Sequence, residues 1–237
     1  MNPIGLAHLT LLPLSPPELV STAAAAGYDF VGVRVAAATR GERQYPMEPG
    51  SPMSRDTLLR LDDSGLHVHD IEFLPVGQST GPDDWQPILD AGAALGARTV
   101  SVAGADPEPG RLADTLAALV ADARSVGIRP TLEPISYQPV RTVDGARSIA
   151  AAAGAGVLLD ALHIQRGGSS LDDVRALDPD LVACLQVCDG PLADPLELEL
   201  PERLPLGMRA DEQRLCGRTE VQPCEIVADV ADHDVGQ

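Results

Sequence analysis

Three apolar runs in this chain each end in side chains able to bind a cation or move a proton. Residues 128–134 end at Glu133, residues 156–163 at Asp160 and His163, and residues 181–189 at Gln186 and Asp189. Glu133, Asp160 and Gln186 recur at intervals of about 27 residues, roughly one strand–helix unit. Oxygen and nitrogen donors delivered by successive parallel strands to one end of a sheet are how an enzyme builds an open cation site. Each residue also has a plainer use. Glu133, in Thr-Leu-Glu-Pro, would serve as a solvated loop acid, and Asp160 as the N-cap of the following turn. His163 would orient substrate, shuttle a proton, bind metal or be structural. The Gln186 amide oxygen is a weaker ligand for Mg²⁺ or Mn²⁺ than imidazole or carboxylate. Asp189, in Asp-Gly-Pro, suits substrate binding and turn formation equally.

Earlier strand ends add His8, Arg34 and Glu72, expected to contact ligand because buried polar groups at a barrel mouth need partners. His67 and His69 share one strand face and are expected to pack or to support the site. Arg166, followed by Gly167-Gly168, offers either an anion-binding loop or a bare glycine turn.

The elements that position these residues alternate short apolar strands with Ala/Leu-rich helices. Strands are expected over 4–10, 28–35, 66–73, 98–103 and the three runs above. The intervening helices begin behind Ser15 and span 58–63, 83–95, 111–126, 143–153 and 171–177, most of them closed by glycine. Strands that are apolar throughout suit a parallel sheet covered on both faces. Seven such units without a change of composition predict one α/β domain over 1–237, a TIM (β/α)8-type barrel. The competing doubly wound sheet lacks a GxGxxG after its first strand. The rhythm fails after Asp189: residues 190–214 show no clear strand, residues 221–232 read as a helix, and an eighth strand would begin at Asp234. The barrel is therefore expected to be truncated or irregular at strand 8, with open edges on strands 7 and 1 that favour self-association.

Composition narrows the partners. With 17 basic against 35 acidic residues and a net charge of −18, the chain opposes a phosphate backbone, so nucleic acid is not expected. A small molecule, with a divalent cation to offset the acid, fits better. At 3% aromatic, the core must be built from Ala, Val, Leu and Ile. Cys184, Cys188, Cys216 and Cys224 form no CxxC pair, and Cys184 and Cys188 lie in or at the end of an apolar run, where a thiol acts as a small hydrophobe. No run suits a signal peptide or a membrane span, and a reducing cytoplasmic setting is expected.

The series Thr131-Leu132-Glu133-Pro134, Asp160-Ala161-Leu162-His163 and Leu185-Gln186-Val187-Cys188-Asp189-Gly190 resembles the xylose-isomerase-like TIM-barrel superfamily of sugar phosphate isomerases and epimerases, a fold shared with family 2 AP endonucleases. The likeness runs from Gly5-Leu6-Ala7-His8 to about Asp234. It implies a divalent ion (Mn²⁺, Mg²⁺, Co²⁺ or Zn²⁺) held by Glu133, Asp160 and Gln186, with His163 facing a sugar or polyol substrate. It also implies a fourth ligand, a Glu on strand 8, for which this chain has no matching run. The Pro-Gly-Glu-Gly-like loop of the family corresponds to Cys216-Gly217-Arg218-Thr219-Glu220, with the acid displaced. The expected activity is metal-dependent isomerisation or epimerisation, with Glu133 and His163 catalytic and His8, Arg34, Glu72, Arg166 and Asp189 on the substrate. The alternatives are a dehydratase of a keto-polyol, of keto-inositol or dehydroshikimate type, and a non-catalytic ligand-binding barrel that lost the strand-8 Glu. An AP endonuclease would need more than the five His present and a basic face.

Overall fold

The computed structural model of the chain describes residues 3–37 and 42–188, together with the strand at 226–229. Its strands are β1 (Ile4–Leu6), β2 (Phe30–Arg34), β3 (His67–Val76), β4 (Thr99–Gly104), β5 (Arg129–Glu133), β6 (Gly156–Asp160), β7 (Val182–Val187) and β8 (Ile226–Asp229). The first seven run parallel in sequence order, and β8 closes the ring between β7 and β1. The helices are α1 (Pro16–Ala26), α2 (Pro52–Ser64), α3 (Pro82–Leu95), α4 (Pro109–Ser125), α5 (Val143–Ala153), α6 (Ala161–Gly167) and α7 (Leu171–Arg175). No helix among the described residues is long and apolar enough to cross a membrane.

Local chemistry sets most of these boundaries. The Glu18 carboxylate accepts the Ser15 amide hydrogen at 2.8 Å, closing the start of α1. Helices α1, α2, α3 and α5 stop at Gly27, Gly65, Gly96 and Gly154, each left-handed, a conformation glycine adopts without steric cost. Helix α5 spans the predicted 143–153. The first strand is shorter than expected, because the chain turns into a 3-10 helix at His8–Leu11.

The last element differs from expectation in kind. Part of 221–232, read as a helix, holds β8, and this strand is antiparallel to both neighbours. Val187 faces Ile226 and Cys184 faces Asp229. The apolar run Ile226-Val227-Ala228 is too short to carry a period that separates a short buried strand from a helix. The barrel is thus irregular at strand 8, as expected, but β7 and β1 are paired along their edges, which removes the reason given for self-association.

Two apolar layers hold the barrel. Outside, the helices pack on residues such as Val33, Ile71, Val100 and Leu132. Inside, Ala7, Phe30, Leu158 and Cys184 meet across the lumen. Space there is tight: a Cβ on Gly5 would lie 2.0 Å from the Phe30 ring. The inner faces are otherwise small or polar. At the β2–β3 pairing Val31 faces Val68 but Gly32 faces Asp70, a bulge that leaves His69 as the extra residue. His69 and His67 both pack on Phe30, at 4.9 and 5.6 Å between ring centroids, in line with the packing expected of them. Beyond the bulge Asp70 is buried, accepting hydrogen bonds from Thr99 Oγ1 at 2.7 Å and Ser101 Oγ at 2.5 Å. Burial pushes its carboxyl up from 3.8 to about 7; the two hydroxyls and Arg34 oppose the rise and Glu72 adds to it.

Two predictions follow from this interior. Gly5→Ala overpacks the lumen and should cost about 1–3 kcal/mol in urea unfolding, whereas Gly81→Ala, with nothing within 4 Å of the added carbon, should stay near wild type. Equal midpoints would refute the tight lumen. Asp70 has a raised folded pKa, so its contribution to stability is complete below pH 3.8 and is lost as the pH climbs through 7. Asp70→Asn should therefore gain on wild type by up to about 1.4 kcal/mol per pH unit through that window. A constant difference between pH 4 and pH 8 would contradict the assignment.

Candidate active site

Every strand-end residue singled out above that lies among the described residues sits at one rim, the C-terminal end of the parallel strands. Asp189 lies outside the described residues, as do Cys216 and Cys224.

On the β5–β7 side, Glu133 ends β5, Asp160 ends β6, and Gln186 lies opposite Asp160 in the β6–β7 register. All three are buried, Asp160 completely. Of the two uses considered for Asp160, the N-cap is present. Its Oδ1 caps α6 by accepting the His163 amide hydrogen at 2.8 Å, while Oδ2 accepts the Cys188 thiol hydrogen at 3.2 Å. The cap places His163 on the first turn of α6, with its imidazole facing inward and wholly buried. The Ser136 amide can only donate, and it approaches His163 Nδ1 at 3.4 Å, with Ser136 Oγ at 3.1 Å. Nδ1 is therefore the acceptor and Nε2 carries the hydrogen of the neutral ring. Burial lowers the His163 pKa, and Arg166 lowers it further, against the pull of Asp160. The Nε2–H makes no hydrogen bond; Glu133 Oε1 stands 3.9 Å away. That distance is too long for a direct bond and suits one oxygen atom placed between the two groups. Tyr137 meets the imidazole edge-on at 5.6 Å.

On the β1–β3 side, His8, Arg34 and Glu72 form a bonded cluster. Glu72 Oε1 accepts the His8 amide hydrogen at 2.9 Å and lies over Gly32, where an added Cβ would come within 2.7 Å of it. His8 has both ring nitrogens on backbone: Nδ1 accepts from Arg34 N–H and Nε2 donates to the Leu14 carbonyl, each at 2.9 Å. Burial lowers its pKa as well, with Glu72 opposing. The Arg34 guanidinium is buried between Glu42, 3.0 Å from Nε, and Glu72, 3.8 Å from Nη2, and lies over the Phe73 ring. Arg166 is half-buried at the end of α6. The two glycines after it end that helix: Gly168 is left-handed, and a Cβ on Gly167 would come 2.2 Å from the Arg141 carbonyl. The segment forms a glycine turn that closes α6.

Ser136 and Asp70 act through partners 27 and 29 positions away, and Glu42 reaches Arg34 from the loop after β2, so none of the three shows its partner in the sequence. Cys188 was read as a small hydrophobe, yet it is half-buried at the rim and bonded to Asp160.

The surroundings of Asp160 bear on whether a cation could sit at this rim. Asp160 is fully buried and receives only an amide and a thiol, with no Lys or Arg within ion-pair distance among the described residues. A buried carboxylate so placed calls for a compensating charge; Gln186 lies opposite it in the β6–β7 register, and Glu133 ends the neighbouring strand β5. No three His, Cys, Asp or Glu side chains already converge on one point among the described residues.

Solved structures share the architecture. The chain aligns with a xylose isomerase-like TIM barrel/4-hydroxyphenylpyruvate dioxygenase fusion protein at 21% identity and TM-score 0.65, over 80% of this chain but only 31% of that one. The probable 3-DHS dehydratase AsbF from Bacillus anthracis aligns at 16% identity and TM-score 0.69, covering 88% of this chain and 81% of that one. The D-allulose 3-epimerase from Methylomonas sp., in complex with D-allulose, aligns at 17% and 0.61, covering 79% and 72%. No curated protein matches the chain. At these identities the neighbours establish the fold alone. The family model for the xylose isomerase-like TIM barrel matches residues 20–211, and the chain belongs to that family.

Proposed function

We propose that the protein is a divalent-metal-dependent enzyme that moves a proton at the carbon beside a carbonyl in a sugar or cyclic polyol. The observation that carries this reading is the pairing of Glu133 with a neutral His163 whose hydrogen is on Nε2, 3.9 Å apart in a buried site. A substrate oxygen between them would accept from Nε2–H, while the carboxylate takes the hydrogen of the adjacent carbon. Because the ring is neutral, it stabilises the developing enolate oxygen by donation without surrendering a full proton. Ser136 holds the tautomer and the Asp160 cap holds the ring's position. Glu133, Asp160 and Gln186 would hold the ion, which when bound polarises the carbonyl and hydroxyl pair. Arg34 and Glu72, on the far side of the mouth, would orient the substrate's remaining hydroxyl or acid groups, with Arg166 and Asp189 as further contacts. His8 would act through the backbone by holding Arg34.

One observation favours a one-base reaction, aldose–ketose isomerisation or dehydration of a β-hydroxy ketone, over two-base epimerisation. β8 is antiparallel, so its C-terminal end runs away from this rim. Among the described carboxylates at the rim, Glu133 is the one that faces the His163 Nε2–H, which supports it as the single base. The epimerase and dehydratase neighbours bracket both outcomes.

The test is exchange of solvent deuterium into keto-sugars, sugar acids and keto-polyols, followed by NMR with metal-loaded protein. Glu133→Gln should lower exchange by about 10²-fold or more with an unchanged melting temperature, and His163→Ala should lower turnover while metal stays bound. Asp160→Ala should lose its metal on dialysis and about 1 kcal/mol of stability from the missing cap. Full metal content in Asp160→Ala, or undiminished exchange in Glu133→Gln, would overturn the assignment.

A further inference from the structure

We propose that the mouth of the barrel is built for an uncharged polyhydroxy ketone and excludes phosphorylated and carboxylated sugars, because the buried guanidinium of Arg34 is already neutralised by Glu42 and Glu72. The proposal rests on the proton-transfer reading above and names the substrate class that the same site takes.

Arg34 ends β2, and its side chain is 6% exposed, against 10% for Glu42 and 6% for Glu72. Glu42 Oε1 stands 3.0 Å from Arg34 Nε, and Glu72 Oε2 stands 3.8 Å from Nη2. Two carboxylates largely withdrawn from water thus share one cation, and the cluster carries an excess negative charge before any substrate arrives. A phosphate or carboxylate entering here would add to that charge where water screens it little, or displace an acid that is itself withdrawn from water. Glu72 cannot yield its place cheaply. Its Oε1 accepts the His8 amide hydrogen at 2.9 Å, and moving it would orphan a buried N–H. The Phe73 ring lies against the guanidinium, 5.5 Å from the central carbon to the ring centre, which closes a further approach. The Arg34 Nε–H makes no hydrogen bond, so the cluster keeps a buried donor for a neutral oxygen while its charge is spent.

The rest of the molecule offers an anion little. All 17 basic residues are arginines, so the chain has no lysine to hold a phosphate. Arg166, the other arginine named at the rim, acts on His163, on the side of the mouth that carries Glu133 and Asp160. Among the described candidate residues, four carboxylates therefore stand against two guanidiniums. The whole chain, at a net charge of −18, adds a field that slows the approach of anions. An uncharged polyol meets none of these costs, since carboxylate oxygens accept its hydroxyl hydrogens and arginine donates to its oxygens.

The experiment measures solvent-deuterium exchange by the metal-loaded full chain on matched ketoses and cyclic keto-polyols. Each is offered uncharged and as its phosphate ester, and the ketoses also as terminal carboxylates. Uncharged members should exchange, and their anionic counterparts should show kcat/KM at least about 10²-fold lower. Inorganic phosphate should neither inhibit exchange nor raise the melting temperature. Glu42→Gln leaves Arg34 with one carboxylate; it should narrow the preference at least about tenfold and make inorganic phosphate a competitive inhibitor. An anionic member exchanged as fast as its uncharged parent, or phosphate competing with substrate in wild type, would overturn the proposal and leave the proton-transfer reading standing. So would a folded Glu42→Gln with an unchanged preference. Exchange with no member of either set would overturn both. If Glu42→Gln fails to fold, the wild-type comparison of charged with uncharged members decides alone.

Discussion

Asp160 Oδ1 accepts the amide hydrogen of His163, and much of the rim follows from that bond. The bond ends a strand and begins a helix within a single residue, which fixes how far α6 stands from the barrel wall. Because the imidazole belongs to the first turn, it falls over the mouth, where Ser136 from the loop after β5 meets its Nδ1. The same carboxylate keeps a second oxygen for Cys188 at the end of β7. Three consecutive strand ends are thereby tied to one side chain. A carboxylate in this position ties the strand ends together through both of its oxygens.

The lumen explains why the polar groups gather at the rim. Phe30, Leu158, Cys184 and Ala7 fill the interior, and small residues such as Gly5 and Gly32 make the room for larger neighbours. Water has little access beneath them. Asp70, buried below the rim, is held by two hydroxyls and driven toward its neutral form, while Glu72, one pleat higher, bonds the His8 amide and reaches Arg34. The change from an acid driven toward its neutral form by burial to one paired with a cation takes place across two positions of β3.

Much of this was readable in the amino-acid sequence where the cause is local. The Ser15 start, the glycine stops at Gly27 and Gly154, and the strand ends at Glu133 and Asp160 depend on neighbouring residues alone. What escaped depends on residues distant in the chain. The bulge at His69 is a mismatch between two strands, and β3 taken alone shows only apolar and polar alternation. The Arg34–Glu42 pair and the Ser136–His163 bond are likewise invisible until the loops are placed. The direction of β8 was illegible for another reason: a short apolar run states neither its partner nor its orientation, and pairing with both β7 and β1 is a property of the closed ring.

That antiparallel strand has an evolutionary consequence. The chain leaves β7 and re-enters β8 on the same rim, with Val187 facing Ile226, so the connection between them begins and ends on the rim that carries Asp160 and Gln186. A parallel eighth strand would instead have had to send the chain back along the outside of the barrel. Lengthening a connection whose ends are already neighbours costs little, since closure entropy grows only with the logarithm of length. Insertions and deletions there leave the register of the other seven strands untouched. Among relatives built this way, ligand preference should drift faster than the barrel that supports it.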